Sequence, residues 1–189
     1  MKYKHQKQYR HNHYDYSQNG FYFVTICAKN HQMFFGDIAR SGDEYNSAYE
    51  MKLSEIGKIA KQCWLEIPNH FPFVNLDEYI IMPNHVHGII EIYKNDDYRE
   101  AGTQNLAFLQ TQHKNKFGPQ SKNLSSVIRG FKIGVTKYAN NNNINFIWQL
   151  RFHDRIIRNE KELNAIRKYI IDNPAKWHLD EYNPGNIIR

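Results

Sequence analysis

Met82-Pro83-Asn84-His85-Val86-His87-Gly88-Ile89-Ile90 decides how this chain of 189 residues is read. The run continues through Glu91, Ile92 and Tyr93. It is rich in isoleucine, and Pro83-Asn84 is turn chemistry, so a strand is expected to begin near the first histidine. Side chains alternate across a strand. His85 and His87 are therefore expected on one face, followed by Ile89 and Glu91, with Val86, Ile90 and Ile92 turned to a core on the other. Two imidazoles two residues apart on a rigid strand make half of a metal site. The pair alone does not decide the matter: the chain has 10 histidines, and such a pair is structural or incidental about as often as functional.

Working outward, 74–81 reads as a strand that joins the histidine strand through the turn at 82–84, as an antiparallel hairpin. Glu78 lies on it, its register open. The near-continuous apolar run 21–28 (FYFVTICA) reads as a central strand. Residues 34–38 read as a short strand or loop and 40–46 as a polar turn. Ser54 is an N-cap signal. Ile56, Ile59, Ala60, Cys63, Trp64 and Ile67 after it form one helical stripe, with Pro68 as its expected end. Leu124, Val127, Ile128, Phe131, Val135, Tyr138 and Ala139 form a second stripe, with Arg129, Lys132 and Lys137 outside it. Segments 147–152 and 156–157 read as extended, and Arg151, Arg155 and Arg158 cluster there with His153. Asn159 with Glu162 three residues on is a capping-box pattern opening a last helix. Leu163, Ile166 and Ile170 are its buried stripe and Pro174 its stop. Tyr169 and Asn173, four apart, share a face.

The irregular alternation of elements around an antiparallel hairpin predicts an α+β fold, helices packed on a mixed or antiparallel sheet. The expected organisation is a basic arm over 1–19, a single domain over 20–180 carrying a polar insertion loop at 94–123, and a short tail at 181–189. Net charge is +6 and aromatics are 14%, with 13 Tyr and 11 Phe. Cations with rings suit single-stranded nucleic acid, whose phosphates meet Lys and Arg while bases stack; the same rings also serve a core. Cys27 and Cys63 form no disulfide or zinc pattern, which points to a reducing cytoplasm. No apolar run is long enough to span a membrane, so no membrane partner is expected.

A divalent cation on His85 and His87 needs further ligands, oxygens if it is Mg or Mn. Asn173 offers a carbonyl oxygen, and Tyr169 a phenolic oxygen able to attack a polarised phosphorus. Attack on a phosphodiester would give a covalent phosphotyrosine and a free sugar hydroxyl, a reversible exchange. Among 13 tyrosines, one on a half-buried helix is more often packing than nucleophile. Tyr138, with Asn142 four residues on, has the same spacing, but it continues the apolar stripe of its helix.

MPNHVHGII resembles the HUH motif, in which U is a bulky apolar residue. The segments Ile147-Trp148-Gln149-Leu150-Arg151-Phe152, Ile156-Ile157-Arg158-Asn159-Glu160-Lys161 and Tyr169-Ile170-Ile171-Asp172-Asn173-Pro174 are similar, in that order, to those of the REP-associated tyrosine transposases, which are single-tyrosine HUH transposases. The resemblance runs from Phe21 to about Trp177. It implies a ferredoxin-like (RRM-like) sandwich with the HUH strand central. His85 and His87 would be the metal pair with Mg or Mn, Asn173 a third ligand and Tyr169 the nucleophile. The implied partner is single-stranded or hairpin DNA, on a monomer or homodimer in the bacterial cytoplasm at the nucleoid. The 94–123 insertion is longer and more polar than the family pattern and the tail is short. Arg129, Lys132, Arg151, Arg155 and Arg158 are the expected DNA contacts. Two other readings compete. A non-catalytic RRM-like module could bind single strands without cutting them. A histidine-triad phosphohydrolase would want a third histidine where Ile89 stands.

Overall fold

A computed structural model of the protein describes residues 15–41, 48–94 and 122–186. Its centre is a four-stranded antiparallel sheet in the order β4-β5-β1-β6, built from β1 (Gly20–Cys27), β4 (Val74–Ile81), β5 (His85–Ile92) and β6 (His153–Ile157). The expected 74–92 hairpin is present: Ile81 faces Val86 and Ile80 faces His87, with a register shift between Leu76 and Tyr79. The histidine strand is therefore internal, flanked on its other side by β1 with Cys27 opposite His85 and Thr25 opposite His87.

Two helices cover one face of the sheet. The first, α1 (Glu55–Leu65), is capped by Ser54, whose hydroxyl accepts from the Gly57 N–H. It stops three residues short of Pro68. That proline instead sits in the first turn of a separate short helix, α2 (Ile67–His70), where a missing N–H costs nothing. The long helix α3 (Leu124–Asn141) begins with a capping box between Asn123 and Ser126. Tyr22, Val24 and Ile26 of β1 and Val86, Ile90 and Ile92 of β5 pack here against Trp64, Phe131 and Val135. Gly88 faces this side. A Cβ there would lie 2.2 Å from Cζ2 of Trp64, so this glycine makes room for the indole.

The opposite face carries α4 (Glu160–Asp172). Asn159 caps it by accepting from the Glu162 N–H, while the Glu162 carboxylate accepts from the Arg158 N–H. Leu163, Ile166 and Ile170 pack on Ile89 and Ile157, with Phe21, Phe23 and Ile80 at the margin. Asp77 of β4 receives a two-pronged grip from Arg167, which fixes the helix about its own axis. Beyond α4 the chain enters a 3-10 turn (Pro174–Leu179) that lies near the second strand of a separate hairpin, β2 (Gly36–Ser41) with β3 (Ala48–Leu53). The hairpin takes in residues 40 and 41 of the polar turn expected at 40–46. Its second strand is mostly exposed, so no alternation of apolar residues marks it. Residues 42–47 lie outside the described set, as do 1–14 of the expected arm, 95–121 of the expected insertion and 187–189. Within the arm, Tyr16 is buried and its carbonyl accepts from the Leu124 N–H.

Candidate active site

The site grows from the strand alternation. His85 and His87 both point to the α4 face, 0% and 1% exposed, their rings 4.4 Å apart. Each has its Nδ1 engaged. The His85 Nδ1 lies 2.8 Å from Oδ1 of Asn84, whose amide nitrogen donates to the carbonyls of His31 and Tyr182. With that amide orientation set, His85 Nδ1–H is the donor and its Nε2 carries a lone pair. The Nδ1 of His87 lies 2.9 Å from the Thr25 hydroxyl, and donation to that oxygen likewise leaves Nε2 bare. Partners on the far nitrogen fix tautomer and ring direction in this way at metal-binding histidines. Burial lowers both imidazoles, His87 to about 3 and His85 well below the usual histidine range, the latter also by the neighbouring His87 and His31. Both are neutral at physiological pH.

Tyr169, on the second-last turn of α4, brings its hydroxyl to 3.2 Å from Nε2 of His87. Its ring stands edge-on to Phe23, 43% exposed. Burial and the charge of Asp180 raise the phenol above its ordinary range, offset by the Asn173 side chain. Asn173 closes the helix, 3% exposed, and its Oδ1 has no hydrogen-bond partner. Residues 85, 87, 169 and 173, distant in sequence, thus meet at one place.

Asp180 and Tyr182 complete the site, and the sequence pattern points to neither. The Asp180 side chain is 5% exposed, with Oδ2 3.9 Å from Nε2 of His85. At that distance, and with His85 neutral, the contact is neither a hydrogen bond nor an ion pair. One ligand atom each from His85, His87 and Asp180 falls within a 4.8 Å span. The Tyr182 ring lies 4.8 Å from that of His85 and stacks on His31. No local pattern in 174–186 signals these roles, because tertiary folding supplies them.

A small cleft of about 270 Å³ opens beside Tyr169, lined by Phe23, Thr25, His87, His153, Arg155 and Tyr182 among others. Arg155 is therefore at the site, held by Glu162 at 2.6 Å. Arg151 and Arg158 are exposed nearby in the chain. Arg129 and Lys132 belong to α3, which covers the other face of the sheet. The Lys132 ammonium donates to the carbonyls of Gln149 and Arg151. Its pKa falls to about 8, chiefly by burial. It fastens the 149–151 turn. Glu78 is exposed on β4 and outside the cleft. Tyr138 also belongs to α3, so it cannot approach the histidines.

The histidine and asparagine groups pass a direct test for a cation. The buried Nε2 of His85 and Oδ1 of Asn173 both lack a hydrogen-bond partner, and unpaired buried acceptors are costly unless something fills the space between them.

No protein-family model matches the chain. A Haemophilus influenzae protein of undescribed function is 39% identical over 178 residues, 94% of this chain and 92% of that protein. A second protein of the same organism, named "Putative REP-associated tyrosine transposase", is 26% identical over 162 residues, 86% of this chain and 74% of its own length. A solved structure of a REP-associated tyrosine transposase bound to a REP hairpin has the same fold. The TM-score is 0.57 at 19% identity, over 92% of this chain and 76% of that one. The chain is thus similar along most of its length to a protein named as a REP-associated tyrosine transposase, and it shares the fold of a solved one.

Proposed function

We propose that the chain cleaves and rejoins single-stranded DNA, presented as a hairpin or repeat, through a covalent 5'-phosphotyrosine on Tyr169. The observation that carries this is the Tyr169 hydroxyl 3.2 Å from Nε2 of His87, on the face where both histidines point. The phenolic oxygen attacks phosphorus and forms a Tyr169 O–P bond. The phenol gives up its proton as the P–O3' bond breaks, and the departing oxygen takes one up as a 3' hydroxyl, so no net proton is gained or lost. One phosphodiester replaces another, so rejoining is the same exchange run backwards.

His85, His87 and Asn173 would hold Mg or Mn. Such a cation, when bound, polarises the phosphodiester and stabilises charge on the attacking and leaving oxygens. Everything else is the work of the chain. Thr25 and Asn84 orient the imidazoles, Phe23 holds the Tyr169 ring edge-on, and the Arg167–Asp77 pair keeps α4 in register with the sheet. Arg155 is best placed to meet a phosphate, with Arg151 and Arg158 beside it in sequence and Arg129 on the remote face. With the separate β2–β3 hairpin set aside, the central strands and main helices follow the succession β1-α1-β4-β5-α3-β6, with α1 and α3 on one face, which supports the ferredoxin-like (RRM-like) reading, with 20–180 as one domain.

The test is a labelled single-stranded hairpin with Mn or Mg, run on a denaturing gel. A protein–DNA adduct is expected from the wild type and none from Tyr169→Phe. DNA binding without an adduct in the wild type would leave only a non-catalytic binding module.

A further inference from the structure

We infer that Asp180 is a ligand of the same divalent cation, so that the C-terminal segment, and not the strand and tyrosine helix alone, closes the metal site. This rests on the proposed function, in which a cation sits on His85 and His87. A ring of contacts holds the carboxylate where a ligand belongs. His85 Nδ1–H donates to Asn84 Oδ1, and the Asn84 amide donates to the Tyr182 carbonyl. The Tyr182 N–H donates to Asp180 Oδ1. The ring returns to His85 through Asp180 Oδ2, 3.9 Å from Nε2. One carboxylate oxygen is thus spent on the backbone while the other faces an imidazole lone pair, too far for a direct bond. Two groups beside it point to an occupant. The Nε2 of His85 and the Oδ1 of Asn173 are both buried and without a hydrogen-bond partner. His87 Nε2 has the Tyr169 hydroxyl and the Asp180 carboxylate is steadied by the Asn173 side chain, but no cation faces the carboxylate and His85 Nε2 stays unpaired. Ligand atoms of His85, His87 and Asp180 lie within 4.8 Å of one another, and one dication would satisfy them together. Two nitrogens in the set suit Mn better than Mg, which favours an all-oxygen shell.

The consequence is reciprocal coupling: whatever docks the segment around 180 completes the metal site, and metal holds that segment down. Calorimetric titration of the full chain with Mn(II), without DNA, tests this. Asp180→Asn should weaken Mn binding at least about tenfold, and Asp180→Glu should recover part of the loss. Hydrogen exchange on the wild type gives a readout independent of any variant's folding: Mn should slow exchange across 177–183. Unchanged affinity in Asp180→Asn, or unchanged exchange across 177–183 in Mn-loaded wild type, overturns the inference. If the wild type binds no Mn, or His87→Ala binds it as well as the wild type, the cation reading itself falls. If Mn binding is lost in His87→Ala yet unmoved in Asp180→Asn, only the role of Asp180 falls.

Discussion

The two faces of the central sheet are made by the same strands and do opposite work. Toward α1 and α3, alternate residues of β1 and β5 are Tyr22, Val24, Ile26, Val86, Ile90 and Ile92, all fully buried. Toward α4 the same strands present Thr25, Cys27, His85 and His87, and the apolar contact there is confined to a small cluster around Ile89 and Ile157. One face contributes stability through closely packed rings. The other buries lone pairs and a carboxylate at a cost in stability, which the first face offsets. Substitutions on the two faces should therefore fail differently: one set unfolds the protein, the other leaves it folded and inert.

The largest expected effect is on the chemistry. Tyr169→Phe should remove the covalent adduct entirely, while circular dichroism and DNA binding stay as in the wild type. The structure replaces Tyr138 with a nearer rival: Tyr182 shares the cleft, but burial raises its phenol far above the ordinary range. Mass spectrometry of the trapped adduct should find the nucleotide on Tyr169, and Tyr182→Phe should still form it. A nucleotide on Tyr182 would reverse the assignment.

On the packed face, Trp64→Ala should cost about 3–5 kcal/mol in urea unfolding, since it empties the space under Gly88 and beside Phe131. A loss under about 1 kcal/mol would show that this face is not where the stability resides.

Acid should separate the faces next. Burial holds His87 near 3 when folded against about 6.5 when unfolded, and His85 moves the same way. Below about 6.5 the unfolded chain takes up protons that the folded chain refuses, so stability falls as pH drops from about 6.5 toward 3 and is complete above that window. Melting temperature against pH should show this slope in the metal-free protein, and His87→Gln should flatten it. An unchanged slope in that variant would place the acid sensitivity elsewhere.

The smallest effect belongs to the surface. Neutralising Arg151, Arg155 and Arg158 together should weaken single-strand binding and reduce the salt slope by about 0.7 for each phosphate left without its cation. The Arg155 share should be blunted, because its guanidinium must leave Glu162 first. Binding and slope equal to wild type would make the cluster a solvated surface.

What could be read in the residues divides along these lines. The facing of His85 and His87, and the pairing of Tyr169 with Asn173, follow from periods of two and 3.6 within single elements, and both were legible. The internal position of β5 followed from the short 82–84 turn and the apolar 21–28 run. Asp180 and Tyr182 were not legible, because they reach the site through a 3-10 turn that has no period. Asn84 reads as a turn residue, yet its side chain orients His85; its place directly before the histidine was the one available signal. Gly88 directly follows the two histidines, yet it serves the indole on the other face. The sequence position of Lys132 does not show that two backbone carbonyls accept from its ammonium.

The bond between Tyr169 and His87 has a further consequence. A lone pair serves one guest at a time. While the tyrosine's proton points at Nε2, that nitrogen is closed to a cation; a cation bound there would displace the hydroxyl, whose nearest open space is the cleft. On the proposed function, Tyr169 would be held back without a cation and freed by the same event that makes attack feasible. The threshold for that release would then be set by how strongly one phenol competes for one nitrogen.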